Sequence, residues 1–114
     1  MNIKEFKLKY LVLLLLPISF GVLANYKLTT DQLSGHVGKK VTVCGKVAEI
    51  TTIKSDTFIN LDSPHPYQKF YFYANNQTIG LNKLFKTVCG TGVLTNHKGK
   101  LQIKISDLRS LNFS

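Results

Sequence analysis

Gly38-Lys39-Lys40-Val41-Thr42-Val43-Cys44-Gly45-Lys46-Val47 decides the fold. Apolar side chains recur at every second position, so one face of an extended segment is dry and the other wet. β-branched residues carry the pattern on through Ala48 to Ile53, which lengthens the strand. Gly45, inside such a strand, is expected to mark a bulge or bend.

Working outward, Thr57-Phe58-Ile59-Asn60-Leu61-Asp62 alternates in the same way. Ser63-Pro64-His65-Pro66 must be a loop, because two prolines cannot donate to a ladder. Lys69 to Tyr73 is a third strand, dense in aromatics. Leu81, Leu84 and Phe85 keep helical spacing, so a short helix or turn is expected there. Lys86 to Leu94 is a fourth strand, Asn96-His97-Lys98-Gly99 a hairpin turn, and Lys100 to Ile105 a fifth strand. Asp107 to Phe113 reads as a final turn or trailing strand. Upstream, Thr30 could cap a short helix over Asp31, Gln32 and Leu33, ended by Gly35 and Gly38. The fold class expected is all-β: a five-stranded Greek-key barrel of the OB-fold order, with a short helix between strands three and four.

In that order the first strand pairs with the fourth, which carries Cys89 as the first carries Cys44. Parity sends Val41, Val43 and Val88 inward and leaves Thr42, Cys44, Thr87 and Cys89 outside, so the two sulfurs can share a face. The pair is expected to form one disulfide closing a loop of about 45 residues.

The stretch from Gly38 to Val47 resembles the opening strand of many OB domains, a G-x-x-V-x-V-x-G-x-V pattern. Thr57-Phe58-Ile59-Asn60-Leu61-Asp62 with Pro64, Pro66 and Phe70 is similar to a signature of small bacterial OB-fold proteins of the nucleic-acid-binding type. Thr87 to Val93 and Gly99 to Ile103 resemble the close of the same domains. The resemblance implies the fold, and with it a binding rather than a catalytic role; ligands of such barrels range over single-stranded nucleic acid, oligosaccharide and protein.

The N-terminus carries Lys4, Lys7 and Lys9, then an apolar run from Leu11, and small residues up to Ala24. This has the parts of a secretory signal peptide over residues 1–24, with the single domain over 25–114. The apolar run is shorter than the ~20 residues a crossing needs, so no membrane span is expected after cleavage. Losing Lys4, Lys7, Lys9 and Glu5 takes the formal charge from +9 to +7, so the basicity belongs to the exported domain. That balance favours polyanionic partners, single-stranded DNA or RNA first and a protein or glycan second. The glycan alternative draws on the outline shared with secreted toxin B subunits, and a periplasmic accessory subunit is a further possibility. Arg109 is the one arginine after the leader, which argues against base-specific bidentate reading.

The binding face expected is the outer side of strands two and three. There Phe70, Phe72, Ile59 and Leu61 point inward, and Phe58, Asn60, Lys69, Tyr71 and Tyr73 point out. Leu101, Ile103 and Ile105 of the fifth strand point inward, and Lys100, Gln102 and Lys104 out. Lys46, Lys54 and Lys98 border the face. Rings beside amines suit a single strand, since bases stack while ammonium groups follow phosphate. No enzyme activity, cofactor or metal site is expected: His36, His65 and His97 fall in separate loops, and no ligand spacing or nucleophile motif is visible.

Overall fold

The computed structural model describes residues 27–114. The leader expected over residues 1–24 lies outside them. Seven strands form one sheet: β1 (Lys27–Leu28), β2 (Lys40–Ile53), β3 (Asp56–Leu61), β4 (Phe70–Ala74), β5 (Thr87–His97), β6 (Lys100–Ile105) and β7 (Leu111–Phe113). Five of them close a ring, β2-β3-β4-β6-β5, with β5 returning to β2. Within it β4 and β6 run parallel and the other pairs antiparallel.

The strand count is therefore seven, not five. β1, too short for its alternation to stand out, adds in parallel to β2, and β7, within the stretch read as a final turn or trailing strand, adds antiparallel to β5. The helix expected between strands three and four is a single 3-10 turn, Leu81–Lys83. The helix expected after Thr30 does not form among the described residues. Instead the Thr30 hydroxyl donates to Asp62 Oδ2 at 2.6 Å, so it ties the incoming chain to the end of β3. Such a long-range partner outcompetes a local cap.

The alternation holds inside the ring. Val43, Val47, Ile59, Phe70, Phe72, Val88, Leu94 and Ile103 are wholly buried. Phe70 and Phe72 meet edge to face at 4.9 Å. The ring is tight enough to exclude a methyl group: a Cβ at Gly90 would lie 2.5 Å from Phe72 Cε1 and 2.7 Å from Leu111 Cδ2. The hairpin between β5 and β6 shrinks to the two-residue turn Lys98-Gly99, both at positive φ (52° and 87°), as a tight hairpin twist requires.

Cys44 and Cys89 are direct partners in the β2–β5 ladder and form a disulfide with Cα atoms 4.1 Å apart. Gly45 does not bulge; it stays in register with Val88. Its missing side chain instead admits the Asp62 carboxylate, which would lie 3.1 Å from a Cβ there and accepts from Lys46 N at 2.9 Å. The irregularity falls three residues on. Val47 pairs with Leu61 and Glu49 with Asn60, so Ala48 is the extra residue of a bulge. Inward positions before it are Val41, Val43 and Val47; after it the inward residue is Ile50, and Glu49, Thr51 and Ile53 turn outward.

Candidate ligand groove on the outer face

The bulge sets the candidate site. Once Ala48 shifts the parity, the second half of β2 presents Glu49, Thr51 and Ile53 beside Phe58 and Asn60 of β3. Tyr71 of β4 continues that surface. His65 and Gln68 of the proline loop, with His97, Lys98 and Lys100 of the β5–β6 hairpin, complete the lining. Together they enclose a groove of about 490 Å³.

Its polar floor is a chain of side-chain hydrogen bonds. Asn60 Nδ2 donates to Glu49 Oε1 at 2.8 Å, and the His65 backbone N–H donates to the same oxygen at 2.9 Å. Gln68 Nε2 donates to Asn60 Oδ1 at 3.2 Å and stands 3.3 Å from His65 Nδ1. The His65 amide, and after it the Asn60 amide, hold the Glu49 carboxyl below its ordinary value, so it is a carboxylate at neutral pH. The Lys100 ammonium donates to the carbonyls of Pro66 at 2.7 Å and Gln68 at 2.9 Å, stitching the proline loop to β6.

An aromatic wall stands beside this floor. Phe58 stacks on Tyr73 with centroids 5.1 Å apart and meets Tyr71 tilted at 5.9 Å. Tyr71 was expected to be an open platform. It is only 7% exposed, its hydroxyl donates to Gln102 Oε1 at 2.6 Å, and burial raises the phenol above its ordinary value. Asn60, also expected on the open face, is buried within the floor. Both point outward from the core, as parity requires, but Asn60 is hydrogen-bonded to Gln68 of the proline loop and Tyr71 packs against Phe58 and Gln102.

Of the eight residues read as the binding face, the groove brings together Phe58, Asn60, Tyr71 and Lys100. Tyr73 lies outside it, its hydroxyl donating to Asp56 Oδ2 at 2.8 Å, which raises the phenol. Lys104 is exposed next to it, opposite Tyr73 in the β4–β6 ladder. Lys69 is exposed and ion-paired with Asp31 at 2.7 Å. Lys46 lies before the bulge, in the half of β2 that pairs with β5, 5.8 Å from the Phe85 ring. Glu49, Thr51, Ile53, His65, Gln68 and His97 were missed. The first three were hidden by the bulge. His65 and His97, from loops far apart in sequence, line one groove; among the described residues no group of three or more His, Cys, Asp or Glu side chains is placed to hold a metal.

Comparison with known proteins supports the fold alone. No family model matches the chain, and no curated protein does. Among solved structures, the chain is similar to one described as an aspartyl-tRNA synthetase from Leishmania major Friedlin, at 11% identity and a TM-score of 0.56. That match covers 80% of this chain and 21% of the other, so this chain spans about a fifth of that protein. It is also similar to two OBodies bound to hen egg-white lysozyme. The first, AM1L10, has 17% identity, a TM-score of 0.53, and 76% and 91% coverage. The second, AM3L09, has 14% identity, a TM-score of 0.52, and 75% and 92% coverage. With the ring order and the Cys44–Cys89 bridge, these likenesses make the chain an OB-fold-like all-β protein.

Proposed function

We propose that this chain is an exported, non-enzymatic binding module that holds single-stranded nucleic acid across the outer groove. The observation that carries the reading is the groove's composition and place. It lies on the outer face of the second and third ring strands, between the proline loop and the β5–β6 hairpin, with the Phe58 ring in its wall and Lys98 and Lys100 along its rim. OB domains use this face and its flanking loops for extended ligands. A base stacks on Phe58, while the phosphates follow the lysine rim and the wider positive field. The disulfide fits an oxidising compartment, in line with the leader. Among the described residues no helix is long and apolar enough to cross a membrane.

Fluorescence anisotropy of a labelled single-stranded oligonucleotide tests the reading. Affinity should fall steeply as salt rises, because counterions released from the strand drive such binding. Phe58→Ala should weaken it by about tenfold, the loss of one stacked base. Salt-insensitive binding, or full affinity in Phe58→Ala, would overturn the proposal.

A second reading is a protein partner on the same face. Tyr67, 79% exposed on the proline loop, and Ile53, 57% exposed on the groove wall, favour it. The lysozyme-bound OBodies show that such a scaffold can engage a protein. A glycan ligand is the remaining alternative.

A further inference from the structure

Bond directions on the groove floor follow from chemistry. Asn60 Nδ2 is spent on Glu49 Oε1, so Asn60 Oδ1 is left to accept, and the donor that reaches it is Gln68 Nε2. The same nitrogen faces His65 Nδ1, which therefore presents its lone pair. Reversing the Gln68 amide would set its oxygen against the Asn60 oxygen and that lone pair. Both amide nitrogens are thus engaged, and two acceptors on the floor remain unspent. Glu49 Oε2 takes no donor among the described residues. Gln68 Oε1 is buried without a partner, in a side chain only 5% exposed. Gln68 Oε1 is closed off from solvent, so Glu49 is the one of the two that a donor from outside can reach.

We infer that the groove discriminates among bases, favouring those with an exocyclic amino group over thymine, and that Glu49 is the specificity-determining residue. The inference rests on the single-strand reading above. Glu49 and Thr51 share the outward face of β2, and Thr51 pairs with Phe58. Glu49 therefore stands about 7 Å along the strand from the stacking ring. That is the span of a stacked pyrimidine plus one hydrogen bond from its edge. Cytosine turns an amino donor toward the carboxylate; thymine turns a carbonyl oxygen, which the carboxylate repels. The same charge keeps phosphate off the floor and on the Lys98 rim.

Cytosine and thymine have similar rings and opposite edges, so they isolate the effect. Oligodeoxycytidine and oligodeoxythymidine strands of equal length are titrated with the oxidised protein at neutral pH and low salt. The deoxycytidine strand should bind about fivefold to tenfold tighter, the low end for one base contact because Glu49 is open to water. Glu49→Gln retains an oxygen for Asn60 and His65 but can donate to thymine, and should bring the ratio close to one. Equal affinity of the unaltered protein for both strands would overturn the preference and leave the single-strand reading standing. A ratio that survives Glu49→Gln would remove Glu49 from the role. Failure of both strands to bind would overturn the reading beneath.

Discussion

The two halves of β2 share one strand and meet opposite fates. From Lys40 to Lys46 the strand runs in unbroken register with β5, cross-linked by Cys44–Cys89 and by Thr42 Oγ1 and Thr91 Oγ1 at 2.6 Å. From Glu49 to Ile53 it pairs with β3, and its outward side chains line the groove. The first half spends its outer face on closing the ring. The second leaves that face unspent. Ala48, a single extra residue, separates the two regimes.

The contrast can be broken from either side. The largest effect should come from the closing half: Cys44→Ala with Cys89→Ala frees a loop spanning 45 residues. The chain-entropy account puts the loss near 4 kcal/mol, read as a lower urea midpoint with a steeper slope, because the unlinked chain unfolds to a more exposed state. Gly90→Ala, which drives a methyl group into Phe72 and Leu111, should cost about 1–3 kcal/mol in the same measurement. In the open half, Asn60→Ala leaves Gln68 Nε2 with His65 Nδ1 alone and removes one of the two donors to Glu49, at about 1–2 kcal/mol.

Asn60→Ala also sharpens the pH behaviour. Glu49's folded value lies below its unfolded one, so its contribution to stability is present above the unfolded value and is lost as pH falls through the folded one. Without Asn60 the Glu49 titration, followed by carboxyl NMR, should move up, although the His65 amide still holds part of the shift. Tyr73→Phe should likewise raise Asp56. The Asn76 backbone N–H, the larger cause of its depression, remains, and stability should change little. The smallest effect belongs to Lys69→Ala, which should leave the urea midpoint almost unmoved, because its ion pair with Asp31 is open to water.

The ring was legible because its signal is strictly local. Ile59 and Leu61, like Phe70 and Phe72, alternate over a few residues, and that pattern survives any arrangement of the loops. The disulfide was expected from two cysteines in a small exported domain, and parity on two such strands agreed with it. The groove depended on events that leave no periodic trace. Nothing in Lys46-Val47-Ala48-Glu49 marks Ala48 rather than Gly45 as the extra residue, so Glu49 could not be placed beside Asn60. Tyr71 was assigned the correct side of its strand, but it is buried there against partners on two other strands, Phe58 and Gln102. Thr30 looked like a cap because its partner, Asp62, lies 32 residues ahead.

The bulge also divides the molecule into a frame and an exchangeable face. The ladder that closes the ring joins residues of β2 that all lie before Ala48 to β5. Thr51, Ile53 and Lys98 touch the groove without entering the disulfide, the wholly buried core, the aromatic wall or the Glu49–Asn60–Gln68 chain. Substitutions there can change what is held at little expense to the holder. A lineage or a combinatorial library could move this scaffold from one ligand to another through those three positions, and its unfolding midpoint would barely register the change.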